Sequence, residues 1–286
     1  MKQSFIALLL VALSAGAQAQ FATELKSTEI VPGIQMIEGA DGFGGGNVAL
    51  LTGDERTVLI DDFIEPLSGA LIDIINDLAG SPVDFVINTH VHGDHTGGNA
   101  ALASDGATIV AHDNIRTRML ASENVNEAGL PVITFSDAVT FHLNGLSVYV
   151  FHVKDAHTDG DAIIHFPEVD VIHTGDVWFN GLFPFIDLDS GGTVDGYVAA
   201  QKQIIAMSGA DTQIIPGHGP LAGRDDLQRT VDMIVAAKAK VKTLVDAGRT
   251  ADEIVAENPL SEFEPWSWNF ITTERMTRTL VRDLTE

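Results

Sequence analysis

The chain has 286 residues, 45% of them hydrophobic, and a formal net charge of −24 at pH 7. Such an acidic surface repels nucleic acid and anionic membranes, so neither is expected as a partner. The sequence contains no cysteine, which excludes disulfides, thiolate metal ligands and cysteine nucleophiles. The length suits one large α/β domain with a sizeable core.

Residues 1–19 have the pattern of a secretory signal peptide. Lys2 supplies a positive charge, Phe5–Leu13 is an apolar run too short to span a bilayer, and Ala17–Ala19 is a small-x-small cleavage site. We therefore expect a signal peptide over 1–19, one folded domain over 20–286, and export to the periplasm or the medium. After cleavage, no association with a membrane is expected.

The first half of the chain alternates short apolar runs with turns. Apolar residues at three- and four-residue spacing predict an amphipathic helix over 66–78. A turn that opens a short helix is predicted over 96–102, and another short helix over 114–123. The strands predicted from apolar and β-branched runs are 31–38, 47–52, 57–61, 83–88 and 107–111.

Residues 39–46 contain five glycines around the single aromatic residue Phe43. This composition is typical of a hairpin tip with an apolar end. Two interpretations stay open, a plain turn whose Phe43 packs inward and a flap that closes over a substrate.

The second half begins with strands and ends with helices. A long helix is predicted around 227–244 from its apolar spacing, and the tail from about Trp268 is also predicted to be helical. Strands and helices in each half predict two β-sheets packed face to face with helices outside. The other predicted elements are strands at 138–143, 146–153, 161–166, 169–173 and 212–215, and helices at 194–208 and 250–256.

The segment Thr89–His95 packs three histidines and one aspartate into its last six residues. It directly follows the strand predicted over 83–88, where sites in α/β proteins commonly lie. Imidazole and carboxylate groups are ligands that suit zinc. His90 and His92 point to one side of an extended segment, whereas Asp94 and His95 lie past the bend, so this cluster could serve two metals. The alternative is a polar surface loop.

Three further positions place a ligand type near a glycine at the end of a strand. They are His157, Asp176 and His218. Each is weak evidence alone, but together with the first cluster they predict a metal site. His173 lies three residues before Asp176 and is a candidate for supporting a ligand. The isolated histidines are interpreted as structural, and they are His112, His142, His152 and His165.

These motifs resemble those of the metallo-β-lactamase superfamily, from the glycine-rich hairpin to the Pro-Gly-His-Gly turn at 216–219. The resemblance implies an α/β fold, the four-layer αββα sandwich, with a hydrolase domain over 20–286. It implies two Zn²⁺ ions per chain, with Asp176 bridging them or binding the second. The first ion would be held by His90, His92 and His157, and the second by Asp94, His95 and His218.

A dinuclear zinc site explains how such a protein could hydrolyse a bond without a nucleophilic side chain. Two zinc ions lower the pKa of water from about 15.7 toward roughly 7, so a metal-bound hydroxide is available at neutral pH. Asp94 could orient that hydroxide and relay its proton, which makes it the candidate catalytic residue. The sequence also lacks the Gly-x-Ser-x-Gly motif of serine hydrolases.

The predicted substrate is a small molecule with an acyl bond, and the chain is expected to act as a monomer. Export favours a β-lactam, hydrolysed weakly or promiscuously. A lactone, thioester or other ester is the alternative, because Asp176 stands where the cysteine-dependent β-lactamases have cysteine, and Phe179 where they commonly have lysine. A non-catalytic metal-binding protein is the alternative from another class. The candidate substrate-binding residues are Phe43, Trp178 and Asn180, with Phe183 and Phe185 as further possible lining residues.

Overall fold

A computed structural model describes residues 24–286 of the chain. The signal peptide predicted over 1–19 lies outside these residues. No helix within 24–286 combines the length and the apolar character needed to cross a membrane.

Twelve strands of the described region form two sheets. The first sheet has the order β1-β2-β3-β4-β5-β6-β7, and the second has the order β12-β11-β10-β9-β8. The strands of the first sheet are β1 Leu25–Val31, β2 Ile34–Gly39, β3 Val48–Leu51, β4 Val58–Ile60, β5 Phe85–Ile87, β6 Thr108–His112 and β7 Ile133–Phe135. Those of the second sheet are β8 Ala138–Leu143, β9 Leu146–His152, β10 Ala162–Phe166, β11 Val171–His173 and β12 Gln213–Ile215.

Each sheet combines antiparallel hairpins with parallel crossovers. Strands β1 to β4 are antiparallel neighbours, whereas β4 to β7 run parallel. In the second sheet β8 to β11 are antiparallel, and β12 joins β11 in parallel. Parallel pairs need a long connection, which helices provide here. The helices are α1 Ser68–Ala79, α2 Gly93–Thr96, α3 Asn99–Ser104, α4 Asp113–Ala121, α5 Val194–Met207, α6 Arg224–Asp246, α7 Ala251–Glu257 and α8 Thr273–Thr285.

Three apolar clusters bind the elements into four layers. One lies between the sheets and contains Ile60 and Ile164. A second packs α1 on the outer face of the first sheet, through Leu71 among others. The third packs α5 to α8 on the outer face of the second sheet, through Ile234 among others. Both faces of the central strands are therefore buried, which explains their continuous apolar runs. The predicted αββα sandwich is confirmed.

The sequence missed elements that carry little apolar signal. Strand β1 was not predicted because its residues are mostly exposed, and the run predicted over 31–38 is in fact interrupted by the turn at Pro32 and Gly33. Strand β7 is a three-residue strand at the sheet edge, with Ile133 44% exposed. Helix α8 begins at Thr273, later than the predicted start near Trp268.

Candidate metal centre and cleft

The seven predicted metal ligands meet at one edge of the two sheets. His90 and His92 follow β5, Asp94 and His95 lie in α2, and His157 lies between β9 and β10. Asp176 follows β11 and His218 follows β12. They form two groups, and within each group the ligand atoms lie within 4.8 Å of one another. The first group is His90, His92, His157 and Asp176, and the second is Asp94, His95 and His218.

Asp176 lies between the two groups and turns one oxygen toward each. Its Oδ2 is 3.6 Å from Nε2 of His90 and 3.5 Å from Nε2 of His157. Its Oδ1 is 3.1 Å from Nε2 of His95 and 3.3 Å from Nε2 of His218. This placement fits the expectation that Asp176 bridges two ions, although binding by these seven residues stays a prediction.

Hydrogen bonds behind the rings of His90 and His95 leave one nitrogen of each directed into the site. Nδ1 of His95 lies 2.7 Å from a carboxylate oxygen of Asp61, and Nδ1 of His90 lies 3.0 Å from the hydroxyl oxygen of Thr89. Because that hydroxyl donates to Asp61, it accepts from His90. Nε2 of both rings is consequently unprotonated when the rings are neutral, and both atoms are buried without a hydrogen-bond partner.

The pair His92 and His157 provides the clearest test of whether a cation fits. Nε2 of His92 donates to Asp187 at 2.9 Å, and Nδ1 of His157 donates to the carbonyl oxygen of Phe185 at 2.7 Å. Their remaining nitrogens, Nδ1 of His92 and Nε2 of His157, lie 2.9 Å apart. With both rings neutral, two lone pairs face each other, an arrangement that a cation between them stabilises. The donor set therefore fits a metal ion.

Charges in the second group also favour cations. Burial opposes protonation of His218, yet the carboxylates of Asp176 and Asp94 raise its pKa to about 9. Burial opposes ionisation of Asp94, but His95 and His218 lower its pKa to about 2. In the first group burial lowers the pKa of His157 to about 4. The first group thus offers a neutral imidazole at His157, while carboxylates hold positive charge on His218 in the second.

The sequence interpretation missed the residues that fix the ligands from behind. Asp61 accepts from Thr89 N and Oγ1 at 2.7 Å and holds His95. Its backbone has φ 63°, a left-handed conformation uncommon outside glycine. Asp161 accepts from His157 N and Thr158 N, and burial raises its pKa to about 7. The only sequence signal for Asp61 was its position at the end of the strand predicted over 57–61.

Two glycines are required by close approach of the backbone to ligands. A Cβ on Gly46 would lie 1.9 Å from Cε1 of His95, and one on Gly217 would lie 2.1 Å from Oδ1 of Asp176. The base of the glycine-rich hairpin is also anchored, because Asn47 Nδ2 donates to the carbonyl oxygens of Pro216 and Gly219. Close to the tip, the backbone N–H of Ile64 donates to Gly44 O. A role of Phe43 as a flap stays a prediction.

A cleft of about 970 Å³ opens over the two groups. Phe43 lines it as predicted, stacked on His218 with ring centroids 6.0 Å apart. One wall comes from the C-terminal part of the chain, and we call Trp268, Asn269 and Phe270 the C-terminal wall. The other lining residues are His92, Gly93, Asp94, Asp176, Phe179, Phe185 and His218.

Trp178 and Asn180 do not line the cleft, so their predicted role in substrate binding is wrong. Trp178 is fully buried in the core beneath the second sheet, and its Nε1 donates to Thr230 of α6. Asn180 instead supports the turn that carries His218, since its Nδ2 donates to Pro220 O and its backbone N–H donates to His218 O. Phe183 is also a core residue, whereas Phe185 lines the cleft.

The remaining histidines lie outside both groups. His173 supports the site through the backbone, because its Nε2 donates to Asn47 O and its Nδ1 accepts from Gly175 N. His112 and His152 stack on each other with centroids 4.0 Å apart. His142 is exposed and His165 is partly buried in β10.

Comparison with known sequences accounts for this geometry. The sequence profile of the metallo-β-lactamase superfamily matches residues 41–231. The chain belongs to the metallo-β-lactamase superfamily. It is therefore a metallohydrolase, and the matched range contains both ligand groups.

Relatives within the metallo-β-lactamase superfamily differ in their substrates. The chain is 25% identical over 193 residues to a metallo-β-lactamase type 2 of Bacillus cereus, covering 66% of this chain and 72% of that one. It is 30% identical over 188 residues to a hydroxyacylglutathione hydrolase of Polaromonas sp., covering 64% and 66%. A metallo-β-lactamase structure from Pontibacter korlensis shares the fold with a TM-score of 0.64 and 22% identity, covering 74% and 99%.

Proposed function

We propose that this protein is a dinuclear zinc hydrolase that cleaves the acyl bond of an uncharged, apolar lactone, ester or thioester. One observation carries the choice of substrate. Among the lining residues of the cleft that the structure describes, none is lysine or arginine, and five are aromatic. The lining side chains therefore offer no charge-assisted contact to an anionic group, but much apolar surface.

The two ions would be held by seven residues, His90, His92, His157, Asp94, His95, His218 and Asp176. This assignment is supported by the facing nitrogens of His92 and His157 and by the buried Nε2 atoms of His90 and His95, which have no hydrogen-bond partner. Bound zinc would lower the pKa of water and polarise the acyl carbonyl. The absence of cysteine agrees with a reaction that needs no side-chain nucleophile.

Asp94 is the residue placed to move a proton. It lines the cleft, and its Oδ2 lies 3.4 Å from Nε2 of His218. Because its pKa is lowered to about 2, the carboxylate is ionised at neutral pH and can accept a proton from the attacking water. It can return that proton to the leaving group, which a lactone or ester needs as its alkoxide departs.

The charge around the site also supports a neutral substrate. The carboxylates of Asp94 and Asp176 would be ligands, and those of Asp61 and Asp187 lie behind His95 and His92. Together these four carboxylates would balance the charge of two divalent ions. The centre would then attract an anionic substrate less strongly than it would if only the two ligand carboxylates offset the charge of the ions.

A β-lactam is the second candidate substrate. Its support is the similarity to the Bacillus cereus protein named a metallo-β-lactamase and the aromatic tip Phe43 over the site. The cation expected to pair with the drug carboxylate is missing at Phe179, which is buried and stacked on His218 at 4.8 Å. Activity on β-lactams should therefore be weak and limited by a high KM.

The deciding experiment is a hydrolysis panel with the zinc-loaded protein. γ-Butyrolactones, S-phenyl thioacetate and nitrocefin represent the neutral lactone, the neutral thioester and the anionic β-lactam. We expect a higher kcat/KM for the neutral substrates. Faster hydrolysis of nitrocefin would promote the second candidate, and no hydrolysis by fully metallated protein would favour a non-catalytic metal-binding role.

We also propose that this activity resides in the periplasm or the medium. The proposal rests on the signal-peptide pattern of residues 1–19. Fractionation of expressing cells, with N-terminal sequencing of the exported form, tests it. Recovery of the uncleaved chain from the cytoplasm would refute it.

A further inference from the structure

The C-terminal wall lies outside the part of the chain that defines the family. The superfamily profile ends at residue 231, whereas Trp268, Asn269 and Phe270 line the cleft beside Asp94 and Asp176. The chain therefore completes its cleft with a segment that lies beyond the residues matched by the superfamily profile. Such a segment is where substrate preference can differ between proteins that share the same chemistry.

Hydrogen bonds hold the wall in one conformation. Trp268 Nε1 donates to Phe183 O at 2.9 Å, and the backbone N–H of Trp268 donates to Ile271 O at 3.1 Å. The backbone N–H of Phe183 in turn donates to Trp266 O at 2.7 Å. Because Phe183 is fully buried, the wall is fixed to the core rather than hanging over the cleft.

Arg275 of α8 fastens the outer end of the wall. Its guanidinium carbon lies 3.9 Å from the ring centroid of Phe270 and 5.3 Å from that of Phe185, and its Nη1 donates to Phe270 O. Phe185 in turn lies 5.6 Å from the ring of His92. The aromatic surface is thus continuous from a predicted metal ligand to the mouth of the cleft.

Phe270 is 45% exposed despite its size. Its ring contacts Phe185 at 5.4 Å and Trp268 at 5.6 Å, so it extends an aromatic surface instead of filling the core. An apolar ligand that covers this ring would remove its apolar surface from water, which favours binding.

Resting on the proposed function, we propose that the C-terminal wall binds a planar aromatic substituent of the substrate, next to the acyl bond that is cleaved. Flat rings match the offset and edge-to-face contacts that the wall offers. A cationic substituent would also suit aromatic faces, but the guanidinium of Arg275 already lies 3.9 Å from the ring centroid of Phe270 and would repel it. The substrate class is therefore a neutral, aryl-substituted lactone, ester or thioester, with Arg275 as a positioning residue.

The test compares γ-phenyl-γ-butyrolactone with γ-methyl-γ-butyrolactone in the zinc-loaded protein. Phe270→Ala should lower kcat/KM for the phenyl lactone roughly tenfold, mainly through KM, and change the methyl lactone less than about twofold. Phe270→Tyr, which keeps the ring, should restore the preference. Equal loss on both lactones, or no loss on either, would overturn the proposal.

Arg275 has a matched control one turn along α8. Arg278 pairs with Asp252 and Glu274 and contacts neither ring. Arg275→Gln should reduce the preference for the phenyl lactone several-fold, whereas Arg278→Gln should leave it unchanged. If both variants behave alike, Arg275 does not position the wall.

A binding measurement separates failure of this proposal from failure of the proposed hydrolysis. Calorimetric titration of the zinc-loaded protein with phenylacetamide should show binding that acetamide lacks, and Phe270→Ala should weaken it roughly tenfold. This result would support the wall even if no lactone is hydrolysed. Absence of phenylacetamide binding would overturn the wall proposal even if lactones are hydrolysed.

Discussion

The base of the cleft and its C-terminal wall differ in the polarity and the burial of their side chains. At the base, seven polar ligand residues are buried or nearly so, and partners such as Asp61, Asp187 and the carbonyl of Phe185 fix their orientation. At the wall, aromatic rings remain partly exposed, and Arg275 holds the outer residue Phe270 through a cation–π contact and a hydrogen bond to its carbonyl oxygen.

This difference separates the reaction from the choice of substrate. The base requires each donor atom at one position, so substitutions there should abolish chemistry or metal binding. The wall offers surface rather than specific donors, so substitutions there should change KM and leave the chemistry intact.

Asp94→Asn should have the largest effect. The amide keeps the shape of the side chain but can no longer accept a proton at neutral pH, so kcat should fall at least roughly a hundredfold. Turnover of the neutral lactone is measured together with metal content, and Asp73→Asn on the exposed side of α1 is the control. Near-normal turnover with full metal content would refute the role of Asp94.

Asp187→Ala should affect metal binding instead. Asp187 accepts from His92 Nε2, so its loss should weaken the binding of zinc by the first group roughly 10–100-fold. Asp189→Ala is a matched control in the same turn, because Asp189 is exposed and pairs with Arg282. Competition with a chromogenic chelator gives the two zinc affinities. Equal affinities in Asp187→Ala and wild type would show that His92 is oriented without Asp187.

Asn269→Lys should have the smallest effect and acts at the wall. Asn269 is exposed and lines the cleft, so a lysine there adds the cation that the cleft lacks without disturbing the core. A surface charge pair is worth about 0.2–1 kcal/mol, so KM for nitrocefin should fall by up to a few-fold. KM for a neutral lactone should not change.

The same charge placed elsewhere is the control for this substitution. Asn124 is exposed and does not line the cleft, so Asn124→Lys alters the net charge equally. If both lysines lower KM for nitrocefin to the same extent, the effect comes from overall charge and the cleft explanation fails.

The sequence predicted the base of the cleft because its signal is local. Three histidines and an aspartate after an apolar run identify His90–His95, and single ligands near glycines complete the set. Asp61 was missed because its left-handed backbone and its bond to His95 appear only in the folded chain. Asp187 was missed because its partner His92 lies 95 residues away in sequence.

The wall was not predicted because no motif marks it. Its aromatic residues lie between α7 and α8 and could equally have been core residues, and the tail was expected to be helical from about Trp268. Trp178 shows the converse error, since it follows the bridging candidate Asp176 closely but faces the core. Sequence proximity to a ligand does not determine which way a side chain points.

The most direct test of the central claim is the number of metal ions bound per chain. Wild-type protein stripped with chelator, reloaded with zinc and desalted should contain about two zinc ions by elemental analysis, and activity should return with them. His92→Ala should retain about one, because the second group does not contain that ligand. Fully active protein without a bound transition metal would contradict the claim that activity depends on a dinuclear metal centre.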